Sequence, residues 1–574
     1  MKDLKQILKY LFKFKKYFII TLLLIVFETF FELLIPFFMK DIIDKGIKLH
    51  DMRQIYISGG EIIICAILSL VLGHLYSKAN AKMVTNFSFT LREEAFKKIQ
   101  SYSFSNLDHF QTTSLITRVI NDVNVMQNTI AGGMRPLCRA PLMLIMGVVL
   151  SFILAPKVAW VFIVFIPILA LILFLIIRKT APKYNVLQTN IDSLNGVVRE
   201  NVSAIRTVKA YVREEYEEKK FTTANDAVMH TSKSTFRIAQ LNQPSFQLVM
   251  YSVTVLILYF GTKLVHNNSL EVGSLSAMMS YIMQVVNSLM MISNAFLLIN
   301  RSFASSKRLN EIFNEEPTIK NIDDPVMAIG SGKIDFNDVF FKYRIGTGEN
   351  VLDDIDIHIN AGESIGILGG TGASKSTLVS LICRLYDVNS GSVMVDGINV
   401  KNYDLTVLRD NVAIVLQNNV LFSGSIRDNL LWGNKNASDE ELLKVCKIAC
   451  VDEFLDRIGG LDYDLGQGGV NVSGGQKQRL CIARALLKNP KIIIFDDSTS
   501  ACDMETERKI MRQIRAIKGV TNIIIAQRIT SVIDADRIII MDNGKIIDVG
   551  TSDELLQRCN IYKELYDAQM KGVR

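Results

Sequence analysis

The sequence of 574 residues has only 10 prolines and 8 cysteines, and its second half holds no long apolar run. Scarce proline beside 49% hydrophobic residues excludes a collagen-like or disordered chain. Eight cysteines over this length are too few for a disulfide scaffold. Cys446 and Cys450 share the spacing of one helix face, with no CxxC and no histidine beside them. They read as structural thiols of a reducing compartment. A strong charge bias is missing too: 64 basic against 57 acidic side chains leave +7. That excess requires no nucleic acid, because basic loops beside a membrane account for it.

The first half carries the apolar content, and the mean hydropathy of +0.25 is high for a soluble chain. Apolar runs cover 17–39, 55–76, 141–154 (starting as early as 134), 158–177, 246–265 and 275–299. Each is near the roughly 20 residues that a helix needs to cross a bilayer core. Ser58, Gly59, Gly60 and Glu61 interrupt the second run and leave its outer boundary open. The first run is too long for a signal-peptide core, and no small-residue cleavage site follows Ile35-Pro36. Lys2, Lys5, Lys9, Lys13, Lys15 and Lys16 against Asp3 put the N-terminus in the cytosol, and six spans return the second half there. The long connections 77–133 and 178–245 read as helical extensions into the cytosol, with turns near 104–108 and 201–206. We expect an all-α membrane domain over 1–316, a linker over 317–332, and a further domain over 333–574.

In that further domain, short apolar runs at 355–359, 364–368, 412–416, 491–495, 522–526 and 537–541 alternate with helical patterns. This is the texture of an α/β domain. The run at 364–368 leads into Gly369-Gly370-Thr371-Gly372-Ala373-Ser374-Lys375-Ser376-Thr377 and then a helical stretch. A strand, a glycine-rich turn and a helix start aim several backbone N–H groups at one anion. Lys375 can reach outer phosphates, and the Ser376 hydroxyl can take a Mg²⁺ position. Asp496 ends an apolar strand, which suits a carboxylate near Mg²⁺. Gln417 closes the 412–416 run, Ser473-Gly474-Gly475-Gln476 precedes a helical run, and Tyr343 lies upstream of the glycine loop, where its ring can stack on adenine. Each has an ordinary structural explanation alone, as turn, surface or core. Together and in this order, chance explains them poorly.

With those motifs in view, the chain resembles ATP-binding cassette exporters in half-transporter form, over nearly its whole length. The resemblance implies six membrane helices followed by a P-loop nucleotide-binding domain, and an ATPase coupled to transport with ATP and Mg²⁺. It assigns Tyr343 to the adenine-stacking loop, Gly369 to Thr377 to the phosphate loop, and Gln417 to the glutamine loop. Ser473, Gly474, Gly475 and Gln476 become the signature, Asp496 the Mg²⁺ carboxylate, and Ser500 to Asp503 the adjoining loop. Mg²⁺ would then meet Ser376, Gln417 and Asp496. The turns around Asp108 and Ala204 become coupling helices. The family implies a dimer in which each ATP lies between one subunit's phosphate loop and the other's signature, with the fourth and fifth spans crossing to the partner.

Three positions depart from the family. Ser374 replaces the glycine before the lysine, and its Cβ threatens to strain the loop. Asp497 stands where the family has a glutamate base. Gln527 stands where it has a switch histidine, and a neutral amide cannot bring a proton's charge to the γ-phosphate. This combination is similar to one half of the heterodimeric multidrug exporters, whose degenerate half keeps a good signature for its partner. The expected function is therefore a subunit moving amphiphilic or drug-like compounds out through a bacterial plasma membrane. Its expected partners are a second, related half-transporter, membrane lipid and a small amphiphile, with no nucleic acid. A homodimeric exporter of lipid or peptide and an ATP-gated, non-transporting regulatory subunit remain alternatives. Within the spans, Glu28 and Glu32 share a helix face, either to pair with Arg139 or to meet substrate. Gln284 and Asn287, with Asn294 and several methionines, give the sixth span a mixed, adaptable face that suits substrate or plain packing.

Overall fold

The computed structural model describes residues 2–343, 348–498 and 502–570, less the side chains of 294, 296, 297, 300, 301 and 570. Packing divides the chain into two units: 1–98 with 115–314, and 99–114 with 315–574.

The first unit is helical. Among the described residues, six stretches are long and apolar enough to cross a membrane: Lys2–Ile47, Met52–Gln100, Thr112–Leu154, Pro156–Ser203, Glu214–His266 and Val272–Ser293. Gly59 and Gly60 do not break the second, because the helix Met52–Gln100 runs straight through them. The third begins well before residue 134, as a continuous helix Val123–Leu154 that contains Pro136 and Pro141. Neighbouring helices let a spanning helix absorb proline in this way. The helix Pro156–Ser203 runs into the expected turn at 201–206. Its break comes at Ala204, and a short helix Ile205–Ala210 follows. No glycine or proline lies between 183 and 195 or between 197 and 210 to stop it sooner.

The second unit holds two sheets. An antiparallel sheet has the order β2-β1-β4-β5, from β1 (Ile334–Phe341), β2 (Leu352–Ile359), β4 (Ser390–Val395) and β5 (Ile398–Asn399). A mostly parallel sheet has the order β10-β9-β3-β8-β7-β6. Its strands are β3 (Ser364–Gly369), β6 (Val412–Val415), β7 (Ile492–Asp496), β8 (Thr521–Ile525), β9 (Arg537–Asp542) and the antiparallel edge β10 (Lys545–Gly550). The parallel strands are buried on both faces. Ile492 and Ile494 of β7 face one core, while Ile493 and Phe495 face the other. Double burial explains why these strands read as unbroken apolar runs rather than alternating ones. The sequence reading missed β1, β4, β5 and β10.

The segment 99–114, which the sequence reading gave to the membrane domain, packs with this second unit. Its short helix Phe104–His109 starts in a capping box of Ser103 and Asn106. Fully buried Asn106 donates to Glu315 (2.6 Å) and to the Glu316 carbonyl (2.9 Å), and accepts from the Thr318 N–H (3.1 Å). The Tyr386 hydroxyl donates to Asp108 at 2.8 Å. Residues 317–332, the expected linker, also belong to this unit and make a parallel bridge from Val326 to Tyr403.

Candidate nucleotide site

Parallel register brings the site together. β3, β8, β7 and β6 are hydrogen-bonded in that order, and Ile525 pairs with both Ile367 and Asp496. The residues that follow the C-terminal ends of these four strands therefore lie along one edge, where open α/β sheets bind ligands. They are the glycine loop after β3, Gln417 after β6, Asp497 after β7 and Gln527 after β8. The Asp497 N–H donates to the Ile525 carbonyl at 3.0 Å, which ties the end of β7 to that of β8.

The loop turns at Gly369 because nothing larger fits. A Cβ there would lie 2.2 Å from the Met541 carbonyl oxygen. The helix Lys375–Ile382 follows, and its first N–H groups lack intrahelical partners, as at any helix start. Lys375 folds back over the loop and donates to the carbonyls of Gly369 (2.9 Å) and Gly370 (2.8 Å). Burial lowers the pKa of its ammonium, an effect opposed by the nearby Asp497 and Asp496. Thr371, Gly372 and Ala373 complete the turn, and the Ala373 N–H donates to the Gly370 carbonyl. Ser374 caps the helix in the left-handed conformation, φ 67° and ψ 21°, which costs a residue with a Cβ about 1–2 kcal/mol.

Ser376 donates to Asp496 at 2.7 Å. Asp496 is buried, which raises its pKa, and Asp497 beside it pushes in the same direction. A buried carboxylate with a hydroxyl beside it and a second acid next door is a set of hard oxygen donors that a divalent cation would satisfy. The residues therefore fit Mg²⁺. Gln417 donates to Asp497 over a long 3.5 Å. Tyr343 bonds through its hydroxyl to Thr377 at 2.9 Å, and its ring meets Phe341 and Tyr386 edge-on at 5.0 and 5.2 Å.

The departures Asp497 and Gln527 touch each other. The Gln527 amide donates to the Asp497 carboxylate at 2.9 Å. Burial raises the Asp497 pKa, while Lys375 and this hydrogen bond pull it down. The sequence placed both residues at the site but not against one another.

Ser473 caps the helix Gly474–Leu487 in a complete capping box. The Ser473 N–H donates to the Gln476 side chain at 2.8 Å, and the Gln476 N–H to the Ser473 hydroxyl at 3.4 Å. Ser473 and Gly474 are exposed, and Gly475 and Gln476 half-buried. Among the described residues no hydrogen bond joins this tetrapeptide to residues 369–377. Of the stretch expected as the adjoining loop, Ser500 and Ala501 lie outside the described residues. Cys502 contacts the Gly475 carbonyl and Gln478, and Asp503 caps the helix Met504–Arg515.

In the membrane unit, Glu28 is 3% exposed and accepts from Arg135, with Arg139 3.7 Å away; Arg139 also donates to Glu32. Of the two uses left open by sequence, the structure displays pairing. It adds Arg135, which the sequence reading passed over although it lies four residues before Arg139. Gln284 has a buried side-chain oxygen with no hydrogen-bond partner, and Asn287 is exposed. The Asn294 side chain lies outside the described residues.

Comparison with known proteins agrees with this geometry. Residues 18–289 match the ABC transporter transmembrane region, and residues 352–500 match the ABC transporter domain. The uncharacterized ABC transporter ATP-binding protein YfiB of Bacillus subtilis is 37% identical over 551 residues, 96% of each chain. The chain belongs to the ABC transporter family. The uncharacterized ABC transporter ATP-binding protein Rv1273c of Mycobacterium tuberculosis is 34% identical over 94% of each chain. A bacterial Atm1-family ABC exporter solved with ATP bound shares the fold, with a TM-score of 0.81 at 22% identity over 97% of this chain and 98% of that one. The protein is thus an ATP-driven, multi-pass ABC transporter of the plasma membrane, with its ATP-binding domain following the membrane helices.

Proposed function

We propose that this transporter is an exporter, the degenerate-site subunit of a heterodimer that moves amphiphilic, drug-like compounds outward. In this reading its own phosphate loop retains ATP and turns it over slowly, while its signature completes a fast site on a related partner. The carrying observation is the 2.9 Å hydrogen bond between Gln527 and Asp497. It joins the two replaced groups, at the place where hydrolysis needs a base and a phosphate contact.

Hydrolysis requires a base to take a proton from the water that attacks the γ-phosphorus. Asp497 is one methylene shorter than glutamate, which withdraws its carboxylate by about 1.5 Å, the length of one C–C bond. A misplacement of about 1 Å can cost on the order of 100-fold in rate. Gln527 can donate to a phosphate oxygen but carries no charge to it. Ser376, Asp496 and Gln417 would hold Mg²⁺, which when bound offsets phosphate charge. Tyr343 would stack on adenine, and Gly369 to Thr377 would cradle the phosphates. Ser473, Gly474, Gly475 and Gln476 would donate to the partner's γ-phosphate from an exposed helix start.

An exposed apolar tip supports a partner. Val202, Tyr211 and Val212 at the end of the long helices are 65%, 74% and 79% exposed. In the nucleotide-binding unit, exposed Trp432 stacks on Phe422 at 4.2 Å, beside exposed Val420. The tip of one subunit would cover that surface on the other. Of the four membrane residues that the sequence offered for substrate, we assign Gln284 and Asn287 to the transport pathway, and Glu28 and Glu32 to ion pairs with Arg135 and Arg139.

The test is to purify the chain alone and with the related half-transporter that co-purifies with it, both in lipid. Steady-state ATPase should be low for the chain alone and should rise at least tenfold with the partner. Full turnover from the chain alone would reject the heterodimer.

A further inference from the structure

The loop that carries Gln527 is held from two sides, and neither hold was legible in the motifs. On one side is Glu507 of the helix Met504–Arg515. It is 4% exposed, accepts from the Ser531 hydroxyl at 2.5 Å and pairs with Arg528 at 3.4 Å. On the other side is Gln569, on the C-terminal helix Asn560–Met570. Its side-chain amide donates to the Gln527 carbonyl at 2.9 Å, and its side-chain oxygen accepts from the Ile529 N–H at 2.8 Å. One side chain thus spans the backbone on both sides of Arg528.

The helix that presents Gln569 is firmly seated. Tyr562 is fully buried, with its hydroxyl on Ser552 at 2.8 Å, and Leu565 and Tyr566 pack on the same core as Ile529 and Val532. Gln527 itself is exposed and points its amide at Asp497. Glu507 holds the side chains of Arg528 and Ser531, whereas Gln569 holds the backbone itself, at the Gln527 carbonyl and the Ile529 N–H. Two well-formed hydrogen bonds from a seated helix supply that restraint.

We propose that Gln569 is a positioning residue for the switch loop: by clamping the backbone at Gln527 and Ile529 it aims the Gln527 amide at the γ-phosphate and at Asp497. It acts through the backbone of the loop that carries Gln527. It is needed whether this site turns over quickly or slowly, so the inference stands apart from the heterodimer reading.

Hydrogen–deuterium exchange of the full-length protein in lipid tests it, because the exchanging peptides belong to this chain whatever its partner. The comparison is wild type against Gln569→Ala, each with and without Mg²⁺-ATP. In wild type, nucleotide should slow exchange across 526–532 and across the phosphate loop, 369–377. In Gln569→Ala the basal exchange of 526–532 should rise about fivefold to tenfold. Protection of that segment by nucleotide should be lost, while the phosphate loop stays fully protected. Gln527→Ala should likewise lose the nucleotide-dependent protection of 526–532 but leave its basal exchange unchanged. Equal exchange of 526–532 in wild type and Gln569→Ala would overturn the proposal. So would loss of protection at both segments, which would mean that Gln569 serves nucleotide binding as a whole. A rise spread evenly over 560–570 would assign the effect to helix packing and also overturn it.

Discussion

Two corners of the nucleotide-binding unit invite comparison. At the phosphate loop, Lys375 donates to the Gly369 carbonyl, Ser376 donates to Asp496 and Thr377 bonds to Tyr343, and these side chains suit phosphate and cation. Beside them, Asp497 and Gln527 are bonded to each other at 2.9 Å, and on the proposed reading their side chains are one methylene short and one charge poor for rapid hydrolysis. Interactions made equally in ground and transition states set affinity, and only those strengthened in the transition state set rate. The contrast teaches that binding and chemistry can be tuned separately at neighbouring ends of parallel strands. The signature at Ser473 makes the same point from the other direction. Its capping box is complete and its helix start is exposed, as the proposed role at a partner's site requires.

The largest expected effect tests which corner matters for turnover of the assembled exporter. Ser473→Arg should lower ATPase at least 100-fold, since it replaces a small helix-capping hydroxyl with a bulky cation at the proposed partner site. Asp497→Ala should lower it less than threefold, because the bulk of turnover is assigned elsewhere. The reverse order would mean that the two sites are assigned the wrong way round.

Next in size is repair. Asp497→Glu restores the missing reach, and single-turnover hydrolysis at this chain's site should rise at least tenfold. No gain would place the defect in Gln527 or in the loop rather than in carboxylate length.

The membrane ion pairs come third. Glu28→Gln leaves Arg135 without its charged partner and Arg139 with Glu32 alone. The expected loss is about 3 kcal/mol, the low end for breaking a buried pair, because the Arg135 side chain is 37% exposed. Thermal unfolding in lipid measures it. An unchanged midpoint, with altered transport, would move these residues from stability to substrate.

The smallest effect concerns the strained cap. Ser374→Gly relieves a left-handed residue and should stabilise the nucleotide-binding unit by about 1 kcal/mol. Calorimetry of the full chain would detect it. A loss of stability would show that the serine is compensated by contacts of its own.

Much of this was legible in the sequence, for identifiable reasons. The buried parallel strands announced themselves because double burial leaves continuous Ile and Val runs, as at Ile492–Phe495. The strands β1, β4 and β10 did not, since residues such as Asn337, Ser392 and Asp548 interrupt their apolar pattern. The ends of β3, β7 and β8 located Lys375, Asp496, Asp497 and Gln527 in advance. What sequence could not supply was contact across long separations. Gln527 meets Asp497 and Gln569 through tertiary packing, and no local pattern encodes that. Arg135 was overlooked because a single arginine ahead of Pro136 looks like a loop charge until the helix is seen to run through the proline. The membership of 99–114 in the second unit likewise depends on Asn106, a polar residue whose burial no periodicity reveals.

The proposed division between holding ATP and hydrolysing it is tested most directly by a chase experiment on the assembled exporter in lipid. The complex is loaded with labelled Mg²⁺-ATP, then diluted into excess unlabelled ATP, and the nucleotide bound to this chain is followed through many turnovers. The account predicts one labelled ATP per copy of this chain, released slowly and intact while the partner's site cycles. Label leaving this chain as ADP at the rate of overall turnover would contradict it.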